Sequence, residues 1–97
     1  MYAAVVTVNI AQGQFESSKK ILTEQIVPRV SGSKGFVKGY WTTDAQHQRG
    51  TSVVVFDTED QARQAASIFK VGEPPMEDAP EGVTVRSVSV REVLASV

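Results

Sequence analysis

The chain has 97 residues, 41% of them hydrophobic and 22% charged, with 10 Lys+Arg against 11 Asp+Glu, the balance of an ordinary soluble globular domain. A net charge of -1 supplies no surplus of cations for a polyanionic partner, and the absence of cysteine excludes a disulfide frame, a thiolate nucleophile and a cysteine metal site. A domain of this length buries only about two-thirds of its unfolded surface, so a further buried face gained by self-association would add stability.

The opening run "MYAAVVTVNIAQGQ" sets Tyr2, Ala4, Val6, Val8 and Ile10 against Ala3, Val5, Thr7 and Asn9, the alternation of a strand with one strongly apolar face and one mixed face. It has no basic region before it and is too short to span a bilayer. A cytoplasmic protein without membrane contact is therefore expected, as one domain over residues 1–97.

After a turn at Gln12-Gly13-Gln14 the period becomes helical. Phe15, Ser18, Lys19, Leu22, Ile26 and Val30 share a stripe, with Ser17, Lys20 and Glu24 opposite. Pro28 is incompatible with a helix interior, so a break is expected near Val27, with Ser31 to Gly35 completing the exit.

The second strand runs from Phe36 to Thr43, with Phe36, Lys38, Tyr40 and Thr42 on one side and Val37, Gly39, Trp41 and Thr43 on the other under strict alternation. A polar connection from Asp44 to Gly50 leads into "TSVVVFD", a β-branched run suited to the sheet centre. Thr58 with Gln61 three residues on forms a capping box for a helix whose stripe is Ala62, Ala65, Ala66 and Phe69. "VGEPPMEDAPEG" holds three of the four prolines and reads as an extended loop, and "VTVRSVSVREV" supplies the last strand.

The order βαββαβ predicts an α+β domain, the ferredoxin-like plait: a four-stranded antiparallel sheet with both helices on one face. No segment remains to cover the other face, where Ala3 and Val5 lie beside either Val53 and Val55 or Val54 and Phe56. An open apolar sheet face marks an interaction surface, and a two-fold homodimer is its commonest use.

RNA-recognition domains share this strand order and use the same open face. Here "RGTSVVVF" keeps Arg49, Gly50, Val54 and Phe56 of their strand-three motif but holds Thr51 and Val53 where bases would stack, and the first strand has Val6 at its aromatic position. Each missing stack forfeits about 1–3 kcal/mol, so no nucleic-acid partner is expected.

The segments "IVPRVSGSKGFVKGYW" and "SVVVFDTEDQA" resemble the dimeric α/β-barrel superfamily, in particular the small domains related to antibiotic biosynthesis monooxygenases. The resemblance rests on Val27-Pro28 at the end of the first helix, Gly35-Phe36 opening strand two, and Phe56 through Ala62 leading into a capped helix. It implies a dimeric α/β barrel. It also implies, for the cofactor-free monooxygenases of that group, a pocket between sheet and helices where Trp, Tyr, Asn and Arg side chains position an aromatic substrate as oxygen adds.

Residues of those types here are Asn9, Tyr40, Trp41 and Arg86, the candidate pocket residues. Their structural reading is that Tyr40 and Trp41 pack on opposite faces of strand two, Asn9 ends strand one, and Arg86 pairs with a surface acid. No catalytic residue is assigned. The heme-degrading relatives use an axial histidine on the second helix, and "EDQARQAASIFK" has none. His47 lies in the polar turn "DAQHQRG", which reads as an exposed hairpin tip rather than a general base. One histidine with scattered loop acids makes no metal site, so no cofactor is expected. Two functions stay open: a cofactor-independent monooxygenase acting on a small aromatic or polyketide-like compound, or a non-catalytic small-molecule-binding or regulatory dimer.

Overall fold

The computed structural model describes all residues, 1–97. Strand β1 (Tyr2–Asn9) leads into helix α1 (Phe15–Ile21), a π-helical turn (Leu22–Ile26) and helix α2 (Val27–Ser31). Strands β2 (Phe36–Thr43) and β3 (Arg49–Phe56) form a hairpin, followed by helix α3 (Glu59–Ser67) and strand β4 (Thr84–Glu92). All pairings are antiparallel in the order β2-β3-β1-β4. This is the ferredoxin-like arrangement anticipated from the element order, with β1 and β3 at the centre. No helix is long and apolar enough to cross a membrane.

The alternation of β1 sorts its residues as read. Ala4, Val54 and Phe56 form the core with Ala62 and Ala66 of α3, and Ala62 is 0% exposed. Small side chains on α3 let its backbone approach the sheet closely. Thr58 caps that helix: its Oγ1 accepts from the Gln61 N–H at 3.2 Å, while Gln61 Oε1 accepts from the Thr58 N–H at 3.2 Å.

Two bulges change the side-chain phase from strict alternation. Phe36 pairs with Phe56 and Lys38 with Val55, so Val37 is an extra residue and Phe36 joins Gly39 and Trp41 on the helix side. Thr7 pairs with Ser87 and Val8 with Val85, which leaves Arg86 extra on β4. That insertion lets Val83, Val85, Val88 and Val90 all serve the helix side. A bulge adds one residue to one strand and shifts everything beyond it by one pleat.

The break expected near Val27 does not occur. The π-helical turn carries the chain through, with the Val27 N–H donating to the Leu22 carbonyl five residues back. Pro28 then falls in the first turn of α2, where a missing N–H costs little. The helical path ends at Ser31 instead.

The open face is made by the opposite pleat. Tyr40, Val53, Val5 and Ser89 form one row across the sheet, and Lys38, Val55, Ala3 and Arg91 the next. The valines facing away from the helices are therefore Val53 and Val55, while Val54 and Phe56 are core.

Candidate functional site

Helix α1 stands off the sheet, while α2 touches β2 and sets Val30 against the core. Neither they nor the π-helical turn between them has a buried residue, in contrast to α3. The apolar stripe that begins at Phe15 instead faces a cavity of about 540 Å³, within the range of small-molecule sites. Phe15, Ser18, Lys19, Leu22 and Ile26 from that stripe line it, together with Ile21, Thr23 and Val27. The π-helical turn thus contributes directly to the wall, a placement common for such turns.

The floor is the sheet: Val6, Val8 and Ile10 from β1 and its end, Trp41 and Thr43 from β2 and Gly50 and Ser52 from β3 on the helix-side pleat, with Thr42 and Thr51, whose side chains share the other pleat with Thr7, between them. The last wall is the Pro-rich segment. Phe69, Pro75, Met76, Ala79, Pro80 and Val83 face the cavity, while Glu73, Glu77, Asp78 and Glu81 are exposed. The segment is fastened where the Gly72 N–H donates to the Val85 carbonyl and the Val85 N–H donates to the Glu73 carbonyl, both at 2.8 Å. Gly72 and Gly82 carry positive φ at its two ends.

The hairpin tip lies outside the cavity lining and meets the first helix at Phe15. Asp44 accepts from the backbone N–H groups of Gln48 at 2.8 Å and Arg49 at 3.1 Å. These bonds, Arg49 first and Gln48 next, hold the Asp44 carboxyl below its ordinary value of 3.8. His47, at φ 56, is exposed as read from the sequence, yet its ring also stacks on Phe15 with centroids 3.8 Å apart and an interplanar angle of 14°.

Of the four candidate pocket residues, Trp41 alone lines the cavity. Tyr40 lies on the opposite face and is 58% exposed. Asn9 pairs with Arg49 and Thr84 at the end of β1, on the pleat of the open face, and Arg86 is the exposed bulge residue of β4. The structure does not bring the four together. Missing from the sequence-based set were Phe15, Leu22, Ile26, Phe69 and Met76; for the first three the helical stripe is the available signal.

The lining carries no carboxylate, histidine, arginine or tyrosine, and its one charged side chain is Lys19. Such a surface can enclose an apolar body but gives few groups for moving a proton.

No protein-family model and no curated protein matches the chain. Among solved structures it is similar to the crystal structure of a dimeric ferredoxin-like protein from an uncultured marine organism, with a TM-score of 0.61 at 15% identity, covering 100% of this chain and 98% of that one. The shared fold is ferredoxin-like.

Proposed function

We propose that the protein is a homodimer that holds a small apolar or aromatic molecule in the cavity between its sheet and its first helix. The observation that carries this reading is the cavity itself: about 540 Å³, walled by Trp41, Phe15, Leu22 and Met76 and nearly free of titratable groups. Apolar walls with few polar groups are the usual composition of a ligand site. Support for the dimer comes from the uncovered row of Val5, Val53 and Tyr40 with Val55 beside it, and from the dimeric description of the similar structure. Two sheets packed face to face would close the dimeric α/β barrel expected from the sequence.

Native mass spectrometry of freshly purified protein tests both parts. A dimer carrying one small extra mass per subunit is the expected result. A bare monomer would defeat the dimer reading, and a ligand whose addition leaves the emission of the single tryptophan unchanged would defeat the cavity assignment.

A second reading places chemistry in the same cavity: oxygen-dependent oxidation of a small aromatic or polyketide-like compound without metal or flavin. What favours it is Trp41, whose indole N–H is used by no hydrogen bond within the chain and is not sealed from the cavity or solvent, and which can therefore steady developing negative charge on a bound phenolate-like substrate. Oxygen uptake with reduced aromatics that is lost in Trp41→Phe supports it; absence of uptake with any of them returns the protein to a binding role.

A further inference from the structure

We infer that the ligand is an organic anion, an amphipathic acid whose apolar body packs against Trp41 and whose charged end is met by Lys19. This rests on the ligand-binding reading above and adds the ligand's charge to it.

The inference comes from which polar groups of the lining are still free. Six hydroxyl residues contribute to the lining; Thr42 and Thr51 carry their side chains on the open-face pleat with Thr7, and all six hydroxyls are engaged within the protein. Ser18 donates to the Gln14 carbonyl at 2.7 Å, Thr23 to the Lys19 carbonyl at 3.0 Å, Thr42 to the Thr51 carbonyl at 2.9 Å, Thr43 to the Arg49 carbonyl at 3.3 Å and Ser52 to the Val6 carbonyl at 3.4 Å. Thr51 shares a hydrogen with Thr7 at 3.2 Å. The donors that remain are the Lys19 ammonium and the Trp41 indole N–H.

Lys19 is also without a countercharge. The one salt bridge of the chain joins Arg63 to Glu59 on α3, and no carboxylate lines the cavity. The acids of the Pro-rich segment, Glu73, Glu77, Asp78 and Glu81, are exposed and outside the lining. A ligand that presents acceptors at the rim therefore gains a charge-assisted hydrogen bond, whereas a cationic ligand meets a like charge. Because Lys19 is exposed, its contribution is that of a screened rim contact and is reduced by salt.

Lys20 provides an internal control. It is the next residue on α1, carries the same charge and is absent from the cavity wall.

The test is calorimetric titration of naphthoate and its neutral analogue naphthamide into the wild type, Lys19→Gln and Lys20→Gln at low ionic strength, with Trp41 emission read in parallel. Naphthoate is expected to bind the wild type and Lys20→Gln about three- to five-fold more tightly than naphthamide. That gap should close in added salt and vanish in Lys19→Gln, with naphthamide binding unchanged. Equal affinity for the two probes in the wild type, or a gap that survives Lys19→Gln or is lost equally in Lys20→Gln, would overturn the anion inference and leave the cavity reading standing. No heat and no change in Trp41 emission with either probe would overturn the cavity reading itself.

Discussion

The six-membered ring of Trp41 lies directly over Gly39, two residues earlier on β2: a Cβ at Gly39 would stand 2.8 Å from Cη2 and 2.9 Å from Cζ3 of the indole. The same Cβ would also approach Phe36 at 3.4 Å. Gly39 is thus the seat on which Trp41 rests between the core and the cavity.

Gly39→Ala should push the indole off this seat. Overpacking of this kind costs about 1–3 kcal/mol, and because the chain has one tryptophan the displacement is visible as a shift in emission. Denaturant titration and the emission maximum of the variant check this together; an unshifted spectrum at wild-type stability would contradict the packing described.

Gly35 adopts φ +82, and a Cβ there would overlap the Gln61 side chain that completes the capping box. Gly35→Ala is expected to cost about 1–2 kcal/mol for the left-handed backbone and about 1 kcal/mol more for the disturbed cap. Thr58→Ala removes the same cap alone. The double variant should therefore lose less stability than the two single losses added, which equilibrium unfolding of the four proteins measures.

The Asp44 carboxylate gives the hairpin tip a pH dependence. Its folded pKa lies below its ordinary value because it accepts the Arg49 and Gln48 N–H bonds, so its stabilising contribution is full above the unfolded value of 3.8 and fades as pH falls through the folded one. The stability difference between wild type and Asp44→Asn should accordingly shrink between about pH 5 and about pH 2. A difference that stays constant over that window would show that the two bonds do not depend on the charge.

Val53 sits in the middle of the open face, between Val5 on β1 and Tyr40 on β2. If this face joins two copies, Val53→Asp puts an unpaired carboxylate in the interface, and the dimer dissociation constant should rise by about 100-fold or more. Sedimentation velocity across a dilution series checks it. Val53→Asp dimers as stable as the wild type would place the contact on another surface.

The elements that depend on near neighbours in the chain were legible before any fold was known. Thr58 and Gln61 are three residues apart, so their reciprocal cap needs only the first turn of a helix. The alternation of β1 and the stripe starting at Phe15 are likewise local periodicities, and both assigned the right faces. Strict alternation failed in β2 at Val37, and a second bulge leaves Arg86 extra on β4, for a different reason. A bulge is defined by the register of the partner strand, which no single strand records. Pro28 was read as a stop because a regular α-helix excludes it, and the π-helical turn that admits it is a change in hydrogen-bond partner rather than in residue type.

By itself the sequence determined the order of the elements, the antiparallel plait and the presence of one sheet face without a helix to cover it, because length, period and capping chemistry act over short separations. Only the tertiary structure decided that the first helix stands away from the sheet, that the Pro-rich segment turns four apolar residues inward, and that Trp41 shares that space while Asn9, Tyr40 and Arg86 do not. A cavity is the gap between elements distant in sequence, and its size depends on their separation, which is set by the side chains they bring together and not by the pattern within any one of them.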